Sequence, residues 1–134
     1  MRSVRLLGKE YVAAIAAGGA TGALARLAVE ELLPAAPGGF PWATFGVNAA
    51  GCALIGVLMV VVSEGRVAHR LARPFLGTGV LGGFTTFSTY AVQAHGLLAA
   101  GTTAVAAAYL AGTMVAAVAA TWAGMRITRA LVRR

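Results

Sequence analysis

The sequence predicts an all-α integral membrane protein of four transmembrane helices, the third broken in mid-membrane, and three observations carry that prediction. Only 11% of the 134 residues are charged while 59% are hydrophobic, where a soluble domain carries roughly 25% charged residues. Residues 32–63 and the 52-residue run 74–125 contain no Asp, Glu, Lys or Arg, and a membrane helix needs roughly 20 apolar residues. The chain also holds 31 Ala and 18 Gly, an abundance that suits helices packed backbone to backbone, since lipid-facing surfaces favour bulkier aliphatics. Disorder, a collagen-like fibre and a soluble enzyme domain are excluded. The formal charge of +7 does not indicate a nucleic-acid partner, because every segment between the charges is apolar; the bilayer is the partner that composition implies.

The first span covers about residues 11–30 and is interrupted by Arg26. Met1–Lys9 ahead of an Ala-rich run has the look of a signal peptide, but three further spans make a retained first helix the simpler reading. Pro34-Ala35-Ala36-Pro37-Gly38-Gly39 forms the following turn. The second span covers 42–63, and a polar loop runs from Glu64 to Arg73. Pro74 then opens the third span at a favoured first-turn position. The 52-residue neutral run is too long for one helix at ~1.5 Å per residue in a ~30 Å core and suits two. His95-Gly96 is the expected turn between them, giving spans at 74–95 and 103–125. Tyr11, Trp42 and Trp122 fall near span ends, where amphipathic rings prefer to sit. The four spans form a single domain over 1–134.

Basic residues set the expected direction of insertion. The N-terminal tail has Arg2, Arg5 and Lys9, the middle loop Arg66, Arg70 and Arg73, and the C-terminal tail Arg126, Arg129, Arg133 and Arg134. Four spans place all three segments on one side, which then carries ten Lys or Arg against none in the opposite loops. The positive-inside rule assigns both termini to the cytoplasm.

Three stretches carry chemistry. In the second span, Asn48 is an uncharged amide whose donors and acceptor need partners in the bilayer, either on another helix or on a transported ion. In the third, Gly pairs stand beside a dense set of hydroxyls: Gly82, Gly83, Thr85, Thr86, Ser88, Thr89 and Tyr90. Gly weakens a helix and Ser and Thr compete for its backbone bonds, so the pattern predicts a broken helix at Gly82-Gly83, with a plain kink as the alternative. Backbone freed at that depth survives only when buried in protein or lining a cavity, and its carbonyls can hold a cation. In the fourth span, Ala104, Ala108, Gly112, Ala116, Ala120 and Gly124 form a small-residue ridge. Tyr109 and Thr113 form a polar stripe whose hydroxyls serve neighbouring helices, their own backbone or an ion path. Arg26 either snorkels or pairs with Glu30 one turn on. Cys52 is a packing residue, and His69 and His95 are solvated or interfacial, with no nucleophile or metal-ligand grouping near either.

Gly18-Gly19-Ala20-Thr21-Gly22-Ala23-Leu24-Ala25-Arg26, Thr44-Phe45-Gly46-Val47-Asn48-Ala49-Ala50-Gly51-Cys52 and Gly82-Gly83-Phe84-Thr85-Thr86-Phe87-Ser88-Thr89-Tyr90 together resemble the Fluc (CrcB) fluoride channel family. The resemblance covers nearly the whole chain, and the third motif is the specific one. It implies a passive fluoride-selective channel of the bacterial inner membrane that discharges toxic fluoride. It further implies an antiparallel dimer with two pores and a structural sodium ion at the paired helix breaks. By motif position the sodium carbonyls fall at Gly82 and Thr85, the pore aromatics at Phe87 and Tyr90, the pore asparagine at Asn48, and the polar track at Tyr109 and Thr113. Ser88 and Thr89 offer further donors. Gly18, Gly22, Gly112 and Arg26 are expected at packing or interface positions.

The chain departs from the family pattern at two positions. Tyr90 stands where the second aromatic is Phe, and Gln93 stands where many relatives have Glu. The ten-to-zero cation bias argues for a heterodimer with a homologous subunit of opposite orientation, the alternative being a homodimer. A small-multidrug-resistance-type transporter is the rival of similar size, but proton-coupled export needs a membrane carboxylate, and Glu30 and Glu31 lie at the far end of the first span. A non-conducting partner subunit is the second rival.

Overall fold

The computed structural model describes residues 8–63 and 69–132, and every regular element among them is helical. Helix α1 spans Lys9–Leu32 and α2 spans Trp42–Ser63. Helix α3 joins a π-helical stretch, Pro74–Leu81, to one α-helical turn, Gly82–Phe84. Helix α4 is Ser88–Ala99 and α5 is Thr103–Val132. Three helices, α1, α2 and α5, are long and apolar enough to cross a membrane. The α3 and α4 pieces are each too short to cross a ~30 Å hydrocarbon core alone. Of the most apolar stretch of each long helix only 11–22% is buried within the chain. The bulky residues therefore face outward, the arrangement an apolar solvent demands and water forbids.

Close packing runs along two seams. On the first, α1 meets α3 through glycines: a Cβ on Gly18 would sit 3.0 Å from the Gly79 Cα, one on Gly22 would strike the Val80 carbonyl, and one on Gly83 would strike the Gly19 carbonyl. Only bare backbone allows this approach. On the second, α2 meets α5, where a Cβ on Gly56 would strike the Thr121 carbonyl and one on Gly124 the Ala53 carbonyl. Helix α4 lies against α5 through a core of Tyr90, Ala94, Leu97, Ala106 and Tyr109.

Three local expectations are corrected. The break falls at Thr85–Phe87, not at Gly82-Gly83. Gly82 keeps helical dihedrals, φ −65° and ψ −35°, and Thr85 is the residue that extends, with ψ 154°. The chain turns not at His95-Gly96, which remain inside α4, but at Gly101, whose φ of +77° few other residues adopt. The small-residue ridge of α5 is not its buried stripe near the start of the helix. Ala104 and Ala108 are exposed, while Ala106, Tyr109 and Thr113 are buried. A strict four-residue spacing advances about 40° per step on a helix of 3.6 residues per turn, so the ridge drifts around the helix and meets the α2 backbone closely at Gly124. A Cβ on Gly112 itself would make only an ordinary 3.9 Å contact with Phe45.

Apart from Arg26, the basic residues that the structure describes, Lys9, Arg70, Arg73, Arg126 and Arg129, sit at the start of α1, before α3 and near the end of α5. Arg70 Nη2 lies 2.8 Å from Glu10 Oε1, tying the loop before α3 to the start of α1. The Gly56 contacts with Thr121 and Met125 set the end of α5 beside the end of α2. Arg2, Arg5, Arg66, Arg133 and Arg134 lie outside the described residues.

Candidate functional site

The site is built around the interruption between α3 and α4, and side chains create that interruption. Asn48, on α2 and 9% exposed, grips the Thr86 peptide with both ends of its amide. Its Nδ2 donates to the Thr86 carbonyl and its Oδ1 accepts the Thr86 N–H, each at 2.8 Å. In an unbroken helix the Thr86 N–H would bond to the Gly82 carbonyl. The Thr89 N–H, whose helical acceptor would be the Thr85 carbonyl, bonds instead to the Thr86 hydroxyl at 3.2 Å. Two diverted donors therefore leave Gly82 and Thr85 with carbonyls released from the helical ladder. The Leu81 carbonyl, in contrast, receives both the Thr85 N–H and the Thr85 hydroxyl. These are the two carbonyls at which the sequence motif places a cation. The chemistry of the donor set, neutral backbone oxygens held by a packed framework, fits a hard monovalent ion.

Around the break opens a groove of about 730 Å³ between α2, α3, α4 and α5. Asn48, Gly82, Thr85, Phe87, Tyr90 and Thr113 all contribute to its lining. The structure thus brings six of the predicted site residues to one surface. Cys52 joins them on the wall as a free thiol. Phe87 projects, 78% exposed, with its ring 5.8 Å from that of Tyr90. Ser88 and Thr89 lie beside the break rather than on the groove wall, within the Thr86 hydroxyl cluster at 3.4 and 3.1 Å.

Behind Tyr90 the polar residues continue inward. Tyr90 donates its hydroxyl to the Leu110 carbonyl at 3.0 Å, and Tyr109, fully buried, donates to Gln93 Oε1 at 2.8 Å. The two tyrosine rings pack at 5.1 Å, tilted by 56°. Phe40 packs edge-on against Tyr109 at 5.3 Å and against Phe45 at 5.4 Å. A line of rings therefore runs from Phe40 through Tyr109 and Tyr90 to Phe87 at the groove. The buried Thr113 hydroxyl makes no hydrogen bond, whereas the Thr44 hydroxyl lies beside the Tyr109 phenol. A buried hydroxyl without a partner is costly, so that of Thr113 is available to an incoming acceptor. The sequence reading overlooked Thr44. Its position one turn before Asn48 on the same helix face is the signal that marks it. Phe40 and Phe45 were also overlooked, and no local pattern announces them.

On the far side of the break, Arg26 pairs with Glu30 at 3.6 Å and donates from Nε to the Gly83 carbonyl at 3.3 Å. Gly18 and Gly22 lie in the α1–α3 seam already described.

Comparisons with known proteins agree with this architecture. A family model described as CrcB-like protein, Camphor Resistance (CrcB), matches residues 13–125. The chain is 62% identical over 111 residues to the fluoride-specific ion channel FluC 1 of Streptomyces coelicolor, covering 83% of this chain and 72% of that one. It is 59% identical over 103 residues to FluC 2 of Streptomyces avermitilis, covering 77% and 65%. With FluC of Paracoccus denitrificans it shares 43% over 117 residues, 87% of this chain and 93% of that one. Together with the outward-facing apolar helices, these matches show that the chain is a multi-pass membrane protein belonging to the CrcB/FluC family, a family of ion channels rather than of enzymes.

Proposed function

We propose that this chain is a subunit of a passive, fluoride-selective channel that lets fluoride leave the bacterial cytoplasm across the inner membrane. The observation that carries the reading is the groove that gathers neutral donors and aromatic edges without a fixed cation. Fluoride is small and strongly hydrated, so a path must replace its water with N–H and O–H donors. Asn48 keeps one amide N–H beyond its bond to Thr86. Thr113 keeps its hydroxyl proton on the groove wall, and behind the wall Gln93, whose Oε1 accepts from Tyr109, keeps its NH2 group. The exposed ring of Phe87 offers a positive edge. Tyr90 and Tyr109 have their hydroxyl protons committed to Leu110 and Gln93, so they line and position the path more than they donate to it. Among the described residues no Lys or Arg lines the groove, which favours release, because conduction needs exit as well as entry.

A sodium ion fits the released Gly82 and Thr85 carbonyls, and when bound it would supply fixed positive charge that pins the break. The groove is open along one face of the chain, which suits completion by a second subunit in an antiparallel dimer. Ten Lys or Arg on one side and none on the other favour both termini in the cytoplasm and a homologous partner of opposite bias. Streptomyces avermitilis has both a FluC 2 and a FluC 3 among the relatives matched, in keeping with paired subunits.

Fluoride efflux from liposomes tests the reading, using this chain alone and with a homologue of opposite bias. Fluoride release that leaves chloride behind is expected from the active combination. Equal passage of the two ions overturns the selectivity, and no flux in any combination favours a non-conducting subunit. Reporter fusions at the C-terminus test orientation: substantial populations on both sides of the membrane would sink the heterodimer argument.

A further inference from the structure

We propose that the Trp122–Arg126 end of α5 binds an anionic phospholipid, with one acyl chain in a groove on α5 and the phosphate on Arg126. The inference is independent of the ion path. A second groove, of about 630 Å³, runs along α5 and is lined by Met114, Val115, Val118, Ala119 and Trp122. All five are exposed, which in a bilayer means exposed to lipid. Met114, Val118, Trp122 and Arg126 recur at four-residue steps, so an apolar stripe on one helix face ends in a cation. At ~1.5 Å per residue the stripe rises ~12 Å from Met114 to Trp122, close to one leaflet of a ~30 Å core. It therefore leads from near the bilayer centre to the interface, where an indole ring prefers to sit.

The end of the stripe is arranged for a phosphate. Arg126 Cζ lies over the Trp122 ring, 5.3 Å from its centroid. Stacking on the ring fixes the plane of the guanidinium and leaves its N–H groups, which point outward in that plane, free to meet an oxyanion in paired fashion. A second arginine sits over an aromatic ring in the same way, Arg70 over Tyr11 at 5.8 Å, but its charge is answered by Glu10 at 2.8 Å. Among the described residues no carboxylate pairs with Arg126. Arg129, one turn further on, is also exposed and adds to the local positive charge.

The same geometry chooses among lipids. Every phospholipid brings a phosphate, but a choline lipid also brings an ammonium, which Arg126 repels. The indole face that would otherwise attract that ammonium is already occupied by the guanidinium. A lipid of net negative charge gains the attraction without the repulsion, by about fivefold for one arginine near the surface. With the termini in the cytoplasm, as proposed above, the site faces the inner leaflet.

The test reads Trp122 itself. The chain holds two tryptophans, so Trp42→Phe, with any tryptophan of a partner subunit also replaced, leaves Trp122 as the one reporter. The full chain in its active assembly is reconstituted in phosphatidylcholine vesicles at about 0.15 M salt, where exposed charges more than ~8 Å apart are largely screened. Phosphatidylglycerol with brominated acyl chains, which quench indole emission on contact, is titrated in, and brominated phosphatidylcholine is titrated in separately. The mole fractions giving half-quenching are compared as a ratio, which cancels any change that a substitution makes to the emission itself. Phosphatidylglycerol is expected to quench at about fivefold lower mole fraction. Arg126→Gln, at an exposed position, should bring the two lipids close to equal, while Arg73→Gln, before α3, should leave the preference unmoved. Equal quenching by the two lipids without these arginine substitutions, or an unchanged preference in Arg126→Gln, overturns the proposal. An equal loss in Arg73→Gln overturns it too, since the attraction then belongs to the whole basic surface. Absence of quenching by either lipid shows the groove covered by another subunit and also overturns it.

Discussion

Replacing Asn48 with Ala removes the side chain that holds the break open, and the consequence can be worked from two bonds. Both ends of the Asn48 amide meet the Thr86 peptide at 2.8 Å in a region only 9% exposed. Interhelical hydrogen bonds in membranes contribute about 0.6 kcal/mol on average and up to about 1.7, so losing two costs about 1–3 kcal/mol. The larger penalty usual for a buried orphan does not apply in full, because the freed Thr86 N–H can return to the Gly82 carbonyl and close one turn. That repair is itself damaging to function, since it removes a released carbonyl and straightens the interruption. The assay pairs the thermal unfolding midpoint in detergent with fluoride efflux from liposomes. Asn48→Ala should unfold at lower temperature and lose most of its flux. Asn48→Asp keeps the acceptor for the Thr86 N–H but sets an oxygen against the Thr86 carbonyl, and a carboxylate on the groove repels an anion. It should assemble yet conduct poorly. An Asn48→Ala protein with wild-type stability and wild-type flux would refute the argument that this amide builds the site.

Other substitutions separate packing from permeation. Gly22→Ala drives a methyl into the Val80 carbonyl; because backbone cannot swing aside, the α1–α3 seam should open at a cost of about 1–3 kcal/mol or more. Gly46→Ala meets nothing within 4 Å and should be neutral or stabilising by about 0.5–1 kcal/mol, so the unfolding midpoints of the pair check the seam directly. Phe87→Ile changes a side chain that is 78% exposed, so subunit stability should hold while fluoride efflux falls, the ring edge being gone. Tyr109→Phe removes the donor to Gln93 Oε1 and should lower stability by about 1 kcal/mol, with a measurable drop in the unfolding midpoint.

Composition and charge spacing made the membrane class, the helix count and the second helix legible because each is a local property of a long segment. The break shows where local reading ends. Gly82-Gly83 look like the weak point, yet Gly83 spends its missing side chain on contact with Gly19. The interruption lies three residues on, because Asn48, 38 positions away in the chain, captures the Thr86 peptide. No window around Gly83 contains that information. Thr44 was within reach, one turn from Asn48, whereas the ring line from Phe40 to Phe87 depends on how α2, α4 and α5 meet. His95-Gly96 remained helical because nothing competes there for the backbone, and the Gly96 carbonyl still accepts the Ala100 N–H at 2.9 Å.

The most direct measurement is the reversal potential of the reconstituted channel in a planar bilayer, with fluoride on one side and chloride on the other. A path of neutral donors selective for the smaller anion predicts a reversal potential set by fluoride, unmoved by a pH gradient. A reversal potential set by chloride, or one that follows the proton gradient, would contradict a passive fluoride channel.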